Sequence, residues 1–349
     1  MNKTKVVKSG GHCRPCKTDR IAPSIGQSIG ALMPSALDKL AQLRKSPSNA
    51  LEIGSDGKVK LAKRARSKYI TNGLTNQLRK LDSPLRKAYI STYFCASALV
   101  QSGAKLTGRY CKNRWCLVCN RIRTAQLIQG YQGELEKLSD LHFVTLTRPN
   151  VTADKLRQEI KDLIKCFRTI VNDDFRKDKI SIKALRKIEC TYNKKRNDYH
   201  PHFHIVVSGK RESELIRKRW LERNPTADIK ANDVRACNGA GSMELFKYFT
   251  KLLSDGKIHA PSLDIIFQAM RGLRVFQPLG IRKVSEEIEE VLSEEYEELL
   301  KGDDDVWIYR ESKSFADWFS METGEGLCDY EPSEWAISLR GGDFKSSSS

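Results

Sequence analysis

Residues 199–207 read Tyr199-His200-Pro201-His202-Phe203-His204-Ile205-Val206-Val207. This stretch constrains the chain more than any other. It alternates and is rich in β-branched and aromatic residues, so it is a strand. Successive side chains of a strand point to opposite faces, so His202 and His204 share one face while Phe203 and Ile205 enter a core on the other. The chain has 6 His in 349 residues, and three of them stand within these few positions. A lone histidine is most simply a satisfied, half-buried side chain. Two side by side at a strand edge make half of a divalent-metal site, because neutral imidazole is a common ligand.

The segments around this strand predict an α+β fold with an antiparallel sheet. His142–Thr147 alternates as a strand. A helix follows from about Ala153, with Leu156, Ile160, Leu163, Ile164, Phe167, Ile170 and Val171 at helical spacing. A strand over Ala184–Tyr192 turns through 193–198 into the His strand. A helix near Glu212–Arg223, a strand at Ile229–Ala236 and a helix at Met243–Leu253 complete a β-α-β-β-α-β-α order, for which helices packed on an antiparallel sheet are the natural solution. Further on, Leu263–Met270 reads as an apolar helix and Ser285–Leu300 as a Glu-rich one. The division expected is a basic N-terminal arm or DNA-binding region (1–90), a Cys-rich module (91–130), the core (138–256) and a helical, acidic C-terminal region (257–349).

Charge points to a polyanionic partner. The net charge is +18, and residues 1–90 carry 19 Lys and Arg against 5 Asp and Glu, whereas residues 281–349 carry 7 against 19. A basic chain of this size most often meets nucleic acid. No run approaches the roughly 18 apolar residues of a membrane span, and residues 1–17 lack the apolar stretch of an export signal. A cytoplasmic location is expected, and with it cysteines used as thiols or metal ligands rather than disulfides. Cys95-x15-Cys111-x4-Cys116-x2-Cys119 offers four thiolates for structural zinc. Arg109, Lys112, Arg114, Arg121 and Arg123 surround it and are candidates for DNA phosphates. Cys13 and Cys16, with His12 beside them, form a weaker pair; Cys166, Cys190, Cys237 and Cys328 read as ordinary thiols.

On the predicted helix at 243–253, Glu244 and Tyr248 are four apart and Tyr248 and Lys251 three apart, so all three share a face. Alone, this is an ordinary amphipathic contact. A phenol can also attack phosphorus if a neighbouring cation offsets its charge and a carboxylate takes its proton.

Taken together, Phe143-Val144-Thr145-Leu146-Thr147-Arg148-Pro149-Asn150, the His-hydrophobe-His strand and Tyr248-x-x-Lys251, in that order, resemble the HUH endonuclease superfamily. They look most like its single-tyrosine initiators of rolling-circle plasmid replication. The resemblance spans roughly residues 91–280 and includes the cysteine block, although Leu117 stands where such blocks often carry proline. It implies a ferredoxin- or RRM-like sheet preceded by a zinc module. It further implies Mg²⁺ or Mn²⁺ on His202 and His204, a nucleophile at Tyr248 and a water-activating Glu244. The third metal ligand expected is Glu189 on the neighbouring strand, with His200 its rival. The implied activity is nicking and joining of single-stranded or hairpin DNA at a plasmid origin through a 5′-phosphotyrosine link, with host helicase and polymerase as possible partners. A single-tyrosine transposase or mobilisation relaxase would use the same chemistry. A zinc-containing DNA-binding regulator would use none of it, and a metal-dependent hydrolase would cleave without a covalent step.

Overall fold

The computed structural model describes residues 57–103, 105–237, 245, 253–254, 257–283 and 304–340. The pair Cys13 and Cys16, and the triplet Glu244, Tyr248 and Lys251, lie outside the described residues. So does the whole of the predicted helix at 285–300.

The described helices are α1 (Gly57–Leu78), α2 (Arg86–Tyr93), α3 (Leu117–Glu136), α4 (Ala153–Thr169), the short α5 (Phe175–Lys177), α6 (Lys210–Arg223), α7 (Ala260–Met270) and α8 (Glu334–Ser338). The strands are β1 (Ala98–Ser102), β2 (Lys105–Gly108), β3 (Leu141–Thr147), β4 (Ala184–Asn193), β5 (Asp198–Ser208), β6 (Asp233–Ala236), β7 (Leu253–Ser254), β8 (Lys257–Ile258), β9 (Phe276–Leu279), β10 (Val306–Glu311) and β11 (Ala316–Ser320). The fold is α+β, with all paired strands antiparallel.

A five-stranded sheet in the order β6-β3-β5-β4-β9 carries the His strand at its centre. Thr145 pairs with His204 and Thr147 with His202 on one side; Lys187 pairs with His204 and Glu189 with His202 on the other. The pleat gives the sheet two unlike faces. One presents Val144, Leu146, Phe203, Ile205 and Ile188 to Leu156, Ile160, Leu163 and Phe167 of α4 and to Ile216 and Trp220 of α6, all buried. The amphipathic stripe of α4 is fully used, and its apolar row runs on through a π-turn at Ile170–Asp174 to Phe175. The opposite face carries Phe143, Leu185 and Val206 toward Tyr131 and Leu135 of α3 and toward Leu245. The histidines stand on this second face.

The second sheet, β11-β10-β1-β2, joins strands from the Cys-rich segment to strands from the far end of the sequence. This corrects the expectation of a helical region over 257–349: α7 is present, but 306–311 and 316–320 are strands, and 276–279 edges the central sheet through β4. Trp307, Ile308 and Tyr309 supply the β-branched and aromatic character that outweighs the acidic surroundings. Gly280 closes β9 at φ +62°, where a Cβ would run into the carbonyl oxygen of Ile182. Two smaller corrections concern the strand at 229–236, whose first part is a 3₁₀ turn (Ile229–Ala231), and Leu253, which opens the β7–β8 hairpin instead of ending a helix.

The basic stretch after residue 56 forms a helix, α1. α1 buries most of its length. Leu61 and Ala65 pack with the cysteine block and Trp318, while Leu74 and Leu78 pack into the core beneath the central sheet. The helix thus contributes to both hydrophobic clusters. Lys68 survives burial because its ammonium is answered: Nζ donates to Tyr93 O (2.5 Å), Asn72 Oδ1 (3.1 Å) and Ser97 Oγ (3.2 Å).

Candidate metal centre and cysteine module

The alternation of β5 sets His202 and His204 side by side, and the β4 register brings Glu189 opposite His202. The two imidazole Nε2 atoms are 3.2 Å apart, and Glu189 Oε2 lies 3.8 Å from each. A point equidistant from these three atoms is about 2.1 Å from each, the bond length that Mg²⁺ or Zn²⁺ makes to O or N ligands. The donor set therefore fits a small divalent cation.

The surroundings orient the donors. His202 Nδ1 sits 3.0 Å from the carbonyl oxygen of His200, which favours the proton on Nδ1 and turns the lone pair of Nε2 toward Glu189. His204 Nδ1 lies 3.4 Å from Thr145 Oγ1, and its ring packs on Phe143 at 5.2 Å. Burial pushes the Glu189 carboxyl up, but Lys187 alongside it, and then the two imidazoles, more than offset this and hold it below the usual carboxylate value. His202 is buried, whereas Glu189 and His204 are partly exposed, so the centre opens to solvent on one side. His200 shares the face, its ring tilted against that of His202 at 5.1 Å, but the group whose ligand atoms lie within 4.8 Å of one another is Glu189, His202 and His204.

The strand end beside the centre is held by neighbours that the motif did not announce. Thr147 N donates to Asn232 Oδ1 (2.8 Å), and Trp220 Nε1 donates to Thr147 O (3.0 Å). Asn150 Nδ2 donates to Asp198 Oδ1 (2.7 Å), tying the end of the first motif to the start of the His strand. Lys187 is the residue that ligand reasoning passed over, because an ammonium is no ligand. Its position two residues from Glu189, on the same pleat face, is the signal that could have found it.

In the cysteine module, Sγ–Sγ distances are 3.5 Å (Cys95–Cys119), 3.6 Å (Cys95–Cys116) and 3.7 Å (Cys111–Cys119). A tetrahedral ion with Zn–S bonds of about 2.3 Å spaces its sulfurs about 3.8 Å apart. Backbone amides of Cys111, Lys112 and Cys119 point at the sulfurs of Cys95, Cys119 and Cys116. Hydrogen bonds from Cys116, Cys119 and Cys95 hold the Cys111 thiol far below its ordinary value, while burial pushes Cys116 up. Such a cluster could hold a metal ion. Cys116 is also the N-cap of α3, its sulfur accepting from Cys119 N.

Residues 104–322, more than half of the chain, match the profile of the family described as "Replication protein". The chain belongs to this replication-protein family. "Protein rep" of Staphylococcus aureus is 31% identical over 180 residues, covering 45% of this chain and 76% of that protein. "Protein rep" of Streptococcus pneumoniae is 26% identical over 244 residues (58% and 74%), and that of a Bacillus species 23% over 221 (53% and 71%). No solved structure matches. The resemblance to rolling-circle plasmid initiators thus holds at the level of the family.

Among the cations of this replication protein's cysteine module, Arg109, Lys112 and Arg121 are exposed. Crowding by the protein and the like charges of Arg64 and Arg66 push Arg121 below its usual value. Arg123 donates to Asn120 Oδ1 and Lys112 O. Arg114 donates to the carbonyls of Met270 and Leu273 at the C-terminal end of α7. It clamps the module to the core, and its fork is engaged there. No helix among the described residues is long and apolar enough to cross a membrane.

Proposed function

We propose that this protein initiates rolling-circle replication of a plasmid by nicking its origin and transferring the strand through a 5′-phosphotyrosine intermediate. The observation that carries this reading is the convergence of Glu189, His202 and His204 on one sheet face in a replication-family chain. Leu245, three residues before Tyr248, is buried against Phe143 and Val206 on that same face, which supports delivery of the tyrosine segment to the centre.

His202, His204 and Glu189 would hold Mg²⁺ or Mn²⁺. When bound, the ion supplies a Lewis acid at the scissile phosphate. Tyr248 Oη forms the new P–O bond as the bond to the 3′ oxygen breaks, leaving a free 3′-OH for a host polymerase, with a host helicase as a further partner. The phenolic proton passes by way of Glu244 to the departing 3′ oxygen, which leaves as the 3′-OH and restores the carboxylate, and Lys251 offsets the negative charge at the attacked phosphate. In the terminating step Glu244 takes the proton of an attacking water, or of the 3′-OH in a second strand transfer, and passes it to Tyr248 Oη as the phosphotyrosine bond breaks and the strand is released. Cys95, Cys111, Cys116 and Cys119 would hold structural Zn²⁺, placing Arg109, Lys112, Arg121 and Arg123 along the DNA backbone. The working division is a basic N-terminal region, a zinc module, the nuclease core and an acidic C-terminal region, in a cytoplasmic protein.

The test is incubation with single-stranded DNA tiled over the parent replicon, with and without Mn²⁺, read by denaturing gel and peptide mass mapping. A Mn²⁺-dependent adduct on Tyr248, lost in Tyr248→Phe while DNA binding survives, is expected. Cleavage undiminished in Tyr248→Phe would replace this reading by a non-covalent hydrolase. Binding without an adduct anywhere would replace it by a DNA-binding regulator.

A further inference from the structure

Lys187 is an unusual neighbour for a metal centre. It stands on β4 opposite His204, on the pleat face shared by His202, His204 and Glu189. Its side chain is 2% exposed, and its Nζ lies 2.5 Å from Glu189 Oε1. A buried ammonium is costly unless an anion answers it, so the pair is held firmly. The two oxygens of Glu189 are therefore divided. Oε1 accepts from Lys187, while Oε2 is the one 3.8 Å from both imidazole Nε2 atoms.

We infer that Lys187 is a positioning residue for the proposed metal centre: it keeps Glu189 a one-oxygen ligand and keeps the centre's hold on the cation loose. The inference rests on the metal-site part of the reading above. Two physical consequences follow. With Oε1 occupied, the carboxylate cannot close on an ion with both oxygens, so one more coordination position stays open to a phosphate oxygen or water. The carboxylate charge is also answered before any cation arrives, and the ammonium repels the incoming ion at short range. Both weaken binding relative to a bare Glu-His-His set. An ion held loosely, with open positions, suits a centre that must admit a DNA phosphate and later release it.

Two variants of the full-length protein move the prediction in opposite directions. Lys187→Met keeps the apolar stem and removes the cation, so only the ion can answer Glu189; Mn²⁺ should bind on the order of tenfold more tightly. The half-saturating Mn²⁺ for nicking should fall with it, and the maximal rate should fall too, because the freed carboxylate takes a second position on the ion. Lys187→Arg preserves the buried charge pair, but its planar fork matches both carboxylate oxygens. Mn²⁺ should bind on the order of tenfold more weakly, with the thermal midpoint of the metal-free protein near that of wild type. The readout is Mn²⁺ titration by electron paramagnetic resonance, with His202→Ala as the control that abolishes the site.

Wild-type protein that binds no Mn²⁺ through His202 would overturn the metal-centre reading itself. Wild type that binds, with Lys187→Met equal or weaker, would overturn the role of Lys187 alone. If Lys187→Met does not fold, Lys187→Arg decides: unchanged affinity and rate in that variant would reject the inference. A merely structural lysine would change the thermal midpoint of both variants without moving Mn²⁺ affinity in opposite directions.

Discussion

Cys116 has a proposed role in a metal site and an observed role as a helix cap, and substitution separates the two. Its sulfur is part of the four-thiol cluster, and it also caps α3 by accepting from Cys119 N. Serine is among the best N-caps and a poor ligand for a soft tetrahedral thiolate site, so Cys116→Ser removes the metal function and keeps the cap. Cys116→Ala removes both. The cap is worth about 1 kcal/mol. The metal term is larger. Structural zinc sites bind with roughly 10–16 kcal/mol, and a mid-range site at about 1 µM free zinc adds about 5 kcal/mol of linked stability. The cluster sits in one core with Leu61, Leu99, Leu106 and Trp318, so loss of the ion should loosen α1 and the β11-β10-β1-β2 sheet before the central sheet. Zinc content by mass spectrometry and thermal unfolding with and without chelator measure both terms. Wild type should hold one equivalent and melt lower in chelator. Cys116→Ser should hold none and ignore the chelator, and Cys116→Ala should lie about 1 kcal/mol below it. A metal-free wild type, or a chelator-insensitive one, would refute the zinc argument. Equal stability of the Ser and Ala variants would refute the cap.

The two faces of β5 should separate in the same way. Phe203 is fully buried against Phe167 and Trp220, so Phe203→Ala should cost about 3–5 kcal/mol in denaturant unfolding. His202→Ala should cost far less and abolish Mn²⁺ binding; the reverse pattern would mean the faces are misassigned. Burial pushes Tyr199 up to about 12 from its ordinary value of 10.0, so its share of stability is complete below pH 10 and is lost as pH rises toward 12. A spectrophotometric titration in which every tyrosine ionises near pH 10 before unfolding would contradict that. Gly280→Ala meets both a positive φ and the Ile182 carbonyl, and should destabilise by more than about 1 kcal/mol; a stability equal to wild type would show that β9 does not enter the sheet this way.

The parts of the molecule that could be read from the sequence are those governed by local periodicity. The alternation of 199–207 specified both the strand and the face its histidines share, and the apolar spacing from Leu156 to Phe167 specified the stripe that α4 buries. Glu189 was within reach because β4 and β5 form a hairpin whose short turn fixes the register. Thr145 was legible as a member of the same face, although not as the hydroxyl beside His204 Nδ1.

Other features depended on contacts between residues far apart in sequence. Nothing in residues 306–320 announces that they pair with a strand more than 200 positions earlier, because an edge is completed by whichever strand can reach it with matching hydrogen bonds. α1 reads as basic and partly amphipathic, yet most of it is buried, and Lys68 finds polar partners supplied by α2 and by the residues just after it. The Arg114 fork, read as a phosphate contact, is engaged by the carbonyls of Met270 and Leu273. The sequence alone determined which side chains lie on each strand face, because pleating has a period of two wherever a strand forms. Tertiary structure decided how those faces were completed: which cation lies against Glu189, which strands close the second sheet, and which arginines stay exposed. Long-range pairing, and the need to satisfy every buried charge, select those partners from the whole chain.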